Sequence, residues 1–146
     1  MRYLGRRDRG SMAVEFVVAA PAFALLLLLV SAGGQWLNLT GDVGSAARDA
    51  ARQASIARDY AQARDNAQTA AQLDLGSTCA GGPDVQVNVY QNGMLMGDGD
   101  FPQATDVEVV LSCQASLSAF RAVGFPVSQT FGDTAAAPLD PFVDRG

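Results

Sequence analysis

Fifteen carboxylates, ten guanidiniums and two thiols are the groups in this 146-residue chain that could do chemistry. Histidine and lysine are absent, so every basic residue is Arg. No Ser-His-Asp or Cys-His nucleophile pair can be built from such a set. A Walker phosphate loop with its Lys, a Schiff-base lysine and a His-ligated zinc or haem are excluded for the same reason. Hydrolysis by carboxylates alone needs two acids converging on a cleft, and no spacing here suggests such a pair. Asp98, Asp100 and Asp106 surround a Gly-rich turn and offer oxygens to calcium, but they lack EF-hand spacing, and Asp-Gly clusters ordinarily make turns. The expectation is a protein with no metal, no cofactor and no small-molecule substrate, and not an enzyme.

One carboxylate stands apart. Glu15 is the single charge between Met12 and Val30, a stretch that ends in five consecutive leucines, 25–29. A carboxylate near the start of a membrane helix costs a few kcal/mol unless it is paired or reaches an interface. The surrounding charge is lopsided. Residues 1–10 carry Arg2, Arg6, Arg7 and Arg9 against Asp8, whereas residues 11–146 carry six Arg against fourteen acids. Basic charge just before an apolar run marks the cytoplasmic side, which puts the remainder outside. The acidic body repels nucleic acid.

Three readings fit residues 1–34. As a plain anchor, residues 16–34 form an uncharged helix of about 28 Å, close to the roughly 30 Å hydrocarbon core. As a secretory signal, Val30-Ser31-Ala32 would be a small-residue cleavage site before Gly33. Neither reading uses Glu15. The third does. Arg6-Arg7-Asp8-Arg9-Gly10-Ser11-Met12-Ala13-Val14-Glu15-Phe16 resembles the type IV prepilin cleavage signature: a basic stretch, a Gly, a small residue, and a Glu five positions after the Gly.

With Ala20-Pro21 and the Leu-rich run that follow, the segment further resembles the TadE family of tight-adherence pilus proteins. The resemblance covers residues 6–35 well, residues 36–60 loosely and the rest in layout only. Gly33-Gly34-Gln35-Trp36 departs from it, because many relatives place an acidic or aromatic residue there. The resemblance implies that a membrane-embedded prepilin peptidase cuts between Gly10 and Ser11 on the cytoplasmic side and leaves the apolar run in place. It also implies that Glu15 pairs with the free α-amino group of Ser11 on a neighbouring subunit, each charge cancelling one that would otherwise be stranded. The alternative for Glu15 is a side chain that snorkels to the headgroups. Pro21 lacks an N–H and frees the carbonyl of Val17, which should bend or loosen the helix.

The elements that position these groups follow from periodicity. Between residues 42 and 75, Val43, Ala47, Ala50, Ala54, Ala57, Ala61, Ala71 and Leu75 fall on one stripe, with Arg64 and Gln68 completing the register. This predicts an amphipathic helix that packs along neighbours or against the C-terminal domain. Gly33, Gly34, Gly41 and Gly44 weaken the helix before it, so a bend is expected there. Beyond a break at 76–83 the period becomes two. Val85, Val87 and Val89 predict one strand, and Val107, Val109, Leu111 and Cys113 a second. Asn92-Gly93 predicts a turn into a short returning strand at 94–96, and a further strand is expected from Val127 to Phe131, extending toward Ala136. Cys79 precedes the first strand and Cys113 ends the second, so an antiparallel pairing brings them within disulfide reach. Tyr90, Phe101, Phe120, Phe125 and Phe131 read as core, with an adhesive patch as the alternative.

The predicted fold is therefore α+β, with five segments: a basic leader 1–10, a transmembrane helix 11–34, an amphipathic stalk helix 35–75, a small antiparallel β domain 76–137 and an irregular tail 138–146. The expected function is that of a minor pilin or pseudopilin in a Tad-type surface pilus. Its partners would be the prepilin peptidase, other pilin subunits with their assembly machinery, and the lipid bilayer. A single-pass membrane protein with a cytoplasmic N-terminus and an extracytoplasmic head is expected. The alternative is a small secreted or anchored binding domain.

Overall fold

The computed structural model describes residues 11–97, 101, 104–121, 124 and 127–143, with residues 11–15, 119 and 120 described by their backbone alone. Helix α1 (Ser11–Ser55) is 45 residues long, about 67 Å at 1.5 Å per residue. It runs unbroken through Pro21 and through Gly33, Gly34, Gly41 and Gly44. The expected weak point at the glycines is therefore no interruption of the helix. The break lies later, at residues 56–59, after which helix α2 (Tyr60–Leu75) packs against α1.

Asp59 makes that break. Its backbone is extended, at φ −141° and ψ 170°, and its side chain accepts the N–H of Gln62, satisfying one of the open donors of the new helix. The Gln62 side chain in turn accepts the N–H of Arg58 at 2.8 Å. The two side chains thus form a reciprocal cap related to the capping box. A non-helical connection resets the phase of the stripe. Val43, Ala47, Ala50, Ala54, Ala57, Ala71 and Leu75 are buried as the sequence predicts, but in α2 the buried face also takes in Ala63 and Ala67. Ala61 and Arg64 are exposed, so the single helix expected over 42–75 is corrected to a helical pair with two registers. Alanine on both sides lets the two axes approach closely, and Asn66 crosses the seam to donate to the Gln53 carbonyl at 3.1 Å.

The helices cover one face of a four-stranded antiparallel sheet of order β2-β1-β3-β4. Strand β1 (Asp84–Gln91) and strand β3 (Asp106–Ser116) pair so that Val85 faces Leu111, Val87 faces Val109 and Val89 faces Val107. All six side chains are buried, and their polar neighbours alternate outward. Asn92 (φ 51°) and Gly93 (φ 80°) make the two-residue turn into β2 (Met94–Leu95), and both need the left-handed conformation that such turns demand. A single helical turn, α3 (Ser118–Arg121), follows β3, and β4 (Ser128–Pro138) closes the sheet.

Strand β4 lies along the upper half of α1. Phe131 meets Trp36, Asp133 meets Gly44, and the N–H of Asp140 reaches the Ser55 carbonyl at 3.2 Å. From residue 36 to 55 a helix rises about 29 Å, and from residue 131 to 140 a strand covers about 30 Å. Equal lengths explain how the two elements stay in contact from end to end. The molecule therefore has two poles. Residues 56–59, the Asn92-Gly93 turn and the end of β4 lie at one, and the end of β3 and the start of β4 lie at the other.

Candidate functional site

The feature that the fold leaves unused is the lower half of α1. Phe16, Val17, Val18, Phe23, Leu25, Leu26, Leu27, Leu29 and Val30 are between 55% and 81% exposed. Ala32 is the one buried residue between 16 and 34. The most apolar 18-residue window of this helix has a mean hydropathy of 2.4, long and apolar enough to cross a membrane. Water does not tolerate such a surface on a stable monomer. Its few polar side chains are turned inward on the helix itself: Ser31 Oγ donates to the Leu27 carbonyl at 2.8 Å, and Thr40 Oγ donates to the Trp36 carbonyl at 2.9 Å. That is how hydroxyls are satisfied where no water is at hand.

Ser11 is the first residue of α1 and Glu15 stands four residues on, so the two Cα positions lie on one side of the helix about 6 Å apart along its axis. Gly10 and the basic leader fall outside the described residues. Pro21 lies well inside α1 on exposed helix, where its missing N–H leaves the Val17 carbonyl free.

The upper end of the apolar segment is fastened to the head. Trp36 packs edge-on against Phe131 with ring centroids 4.9 Å apart, and Gln35 Nε2 donates to Ser118 Oγ at 2.6 Å. Just above, Cys79 and Cys113 are joined by a disulfide with Cα atoms 5.2 Å apart. Cys113 pairs with Phe131 across β3 and β4, so the bridge, the aromatic contact and the exit of α1 from the apolar zone share one level. The sequence supports the Cys pairing through strand order, but the contacts of Trp36 and Gln35 join residues more than 80 positions apart and carry no local signal.

The remaining candidates are scattered. Asp98 and Asp100 lie outside the described residues, while Asp106 opens β3 and its carboxylate accepts the Thr105 hydroxyl. Among the described residues no group of three His, Cys, Asp or Glu side chains stands close enough to hold a metal. Phe101 and Phe131 are core residues, and Phe101 lies 6.4 Å from Tyr60. The Phe120 side chain and Phe125 fall outside the described set. The Tyr90 hydroxyl donates to Glu108 Oε1 at 3.2 Å. Its phenol titrates above the ordinary range because burial disfavours the phenolate, with the hydrogen bond to Glu108 and the charge of that carboxylate adding to the effect.

Among the described residues the arrangement is thus a long exposed apolar helix braced at its upper end by the head. No curated protein and no solved structure matches the chain. The family model described as TadE-like protein matches residues 10–52, from Gly10 through the apolar segment to the part of α1 beneath the sheet, so over that span the chain is similar to the TadE-like family.

Proposed function

We propose that this protein is a minor pilin or pseudopilin of a Tad-type surface pilus, structural rather than catalytic. The observation that carries the reading is the half-helix with nine large apolar side chains between Phe16 and Val30 exposed, starting within a few residues of a Gly-Ser junction. The match of residues 10–52 to the TadE-like family model supports the pilus context. A prepilin peptidase cuts between Gly10 and Ser11, and the retained helix holds the chain in the membrane with its head outside. When the subunit enters a filament, the same apolar surface exchanges lipid for the helices of other subunits. Glu15 then pairs with the new α-amino group of a neighbour's Ser11, which neutralises both charges in a water-poor setting.

The test is the N-terminal residue of the mature protein recovered from its own host. Ser11, with or without N-methylation, is the expected result. A chain that begins at Gly33 would mean removal of an ordinary secretory signal, and an intact Met1 would mean an unprocessed anchor. Either would overturn the proposal.

A further inference from the structure

Above the apolar segment α1 keeps one face in solvent, where Asp42, Ser45, Arg48, Asp49 and Arg52 are all exposed. A helix turns about 100° per residue, which sorts these charges by sign into two flanks about 90° apart. Arg48 and Arg52 border β4, and with Ser55 and residues 136–138 they line a groove of about 350 Å³. Asp42 and Asp49 fall on the other flank, toward α2, the side on which the Gln53 carbonyl accepts from Asn66. Ser45, between the flanks, keeps its hydroxyl on its own helix by donating to the Asp42 carbonyl at 2.9 Å. Asp49 and Arg52 have a spacing at which opposite charges pair on a helix. Yet among the described residues none of the four charged side chains makes a hydrogen bond or an ion pair. Asp133 and Asp140 stand near the groove, but they accept the N–H groups of Thr134 and Phe142, and neither pairs with Arg48 or Arg52.

Four open charges sorted by sign suit a second copy of the same chain, the Arg flank of one against the Asp flank of the next. Copies anchored by α1 in one membrane point the same way, so the free variable of this contact is the shift along the helix axis. Without a shift, Asp49 comes level with Arg48, but Asp42 stands six residues, about 9 Å, below it. Moving the neighbour outward by four residues, about 6 Å, brings its Asp49 within one residue of Arg52 and its Asp42 within two of Arg48. Arg48 narrows that last gap, because its guanidinium leans back to 3.8 Å from where a Cβ on Gly44 would stand. The same outward shift sets the neighbour's Ser11 level with Glu15. Two sets of charges about 40 Å apart along α1 therefore ask for one displacement in one direction. The flanks lie about 90° apart rather than on a shared patch, so the contact joins unlike surfaces and repeats from copy to copy instead of closing on a pair.

We propose that residues 42–52 of α1 form a contact between copies of this chain, in which Arg48 and Arg52 of one copy meet Asp42 and Asp49 of the next, displaced outward by about four residues. The inference rests on the reading of the chain as a filament subunit and names its partner there, a second copy. A single exposed ion pair adds little affinity. Two pairs on a rigid helix instead select one shift from the many that an apolar surface alone would allow.

Two differently tagged full-length chains, one carrying Gly41→Cys and the other Asn38→Cys, test this when expressed together in the host and oxidised in its membranes. Both positions are exposed, and the proposed shift brings residue 38 of one copy within one residue of residue 41 of its neighbour. The native cysteines are held in their own disulfide and do not compete. The mixed cross-link should exceed that of the Gly41→Cys chain with itself at least fivefold. Arg48→Asp with Arg52→Asp on the Gly41→Cys chain should cut it at least fivefold. Adding Asp42→Arg with Asp49→Arg on the Asn38→Cys chain should restore it, which also shows that the reversed chains fold. A mixed product no stronger than the self product overturns the contact. A product unmoved by the Arg reversal, or not restored by the Asp reversal, overturns the charge pairing. Capture of a protein of another size in place of the second chain overturns the choice of partner. The N-terminal residue of the same membrane-bound chains separates the two proposals. With Ser11 there, a missing cross-link removes this contact alone, and with Gly33 or Met1 the proposed function falls as well.

Discussion

Asp133 Oδ2 lies 2.7 Å from the point where a Cβ on Gly44 would stand, so β4 and α1 meet there with no helix side chain between them. The carboxylate is not loose, because its other oxygen accepts the N–H of Thr134 at 2.8 Å. Gly44 is therefore explained by close approach, whereas Gly33, Gly34 and Gly41 have open space around the same position.

That difference sets the signs of two substitutions. Gly41→Ala should stabilise the head by about 0.5–1 kcal/mol, the usual helix preference of Ala over Gly. Gly44→Ala gains the same preference but must displace the Asp133 carboxylate, and overpacking of this kind costs about 1–3 kcal/mol. It should be net destabilising by roughly 1 kcal/mol, and it should become stabilising when combined with Asp133→Ala. Urea unfolding of the full chain in detergent, run as a double-mutant cycle, measures both. A Gly44→Ala chain as stable as Gly41→Ala would show that β4 gives way without cost.

The disulfide should matter more than any single core residue. Cys79 and Cys113 are 34 positions apart, and the chain-entropy account gives about 3–4 kcal/mol for a loop of that size. The core that it supports is made largely of Ala and Val, each burying little area. Cys79→Ser with Cys113→Ser should lower the urea midpoint of the head while leaving the lower half of α1 helical by circular dichroism. A midpoint unchanged by reductant or by the double substitution would put the stability of the head elsewhere.

Alternation of Val and polar residues made β1 and β3 legible, because one face of each is buried and the other is more open. The apolar run made a helix long and apolar enough to cross a membrane legible by composition alone. The break at 56–59 was not legible, since it contains neither Gly nor Pro and is made by two ordinary side chains, Asp59 accepting the N–H of Gln62 ahead of it and Gln62 accepting the N–H of Arg58 behind it. The glycines that looked like hinges are exposed helix positions or, at Gly44, a packing notch. What brings Trp36 to Phe131 is the matched length of a helix and a strand, a property of the assembled fold and not of either segment.

The cap gives its own prediction. Asp59→Ala should cost about 1 kcal/mol, the usual value for a lost N-cap, and Asp59→Asn should recover most of it because the amide oxygen can still accept the Gln62 N–H. Replacing residues 56–59 by alanines tests the stronger form. Continuous helix would carry Ala63 and Ala67 off the seam, so the head should lose cooperative unfolding altogether. A fully cooperative transition in that variant would mean that tertiary packing, not the cap, sets the break.

Tyr90 supplies a pH dependence with a definite sign. Its neutral form is favoured in the folded state, so the folded chain holds this proton at pH values where the unfolded chain has begun to lose it. The associated stability is present below about pH 10, the ordinary phenol value, and is lost as pH rises through the higher folded value. Glu108→Gln removes the repulsion of the phenolate and should move Tyr90 down toward the ordinary range without abolishing the effect of burial. The tyrosinate absorbance of the chain, with that of a Tyr90→Phe variant subtracted, isolates this phenol from the other two tyrosines. A titration unmoved by Glu108→Gln would leave burial as the sole cause.

The last prediction separates insertion from assembly. If Glu15 serves only to pair with a neighbour's amine, the isolated subunit gains nothing from its charge, since a carboxylate at that depth of the bilayer is a cost. Glu15→Gln should therefore insert at least as well as the unaltered chain and be trimmed to Ser11 as usual. In the filament the loss falls on the partner, because the α-amino group of Ser11 would be buried without an anion, a situation that costs several kcal/mol. Mature Glu15→Gln protein should accumulate in the membrane fraction and fall at least tenfold in sheared surface filaments, as read by quantitative immunoblot of the two fractions. Normal entry into filaments would show that Glu15 has no pairing role. A fall in both fractions together would point to a defect before assembly, in insertion or cleavage, and the role of Glu15 would then lie with the peptidase rather than with the neighbouring subunit.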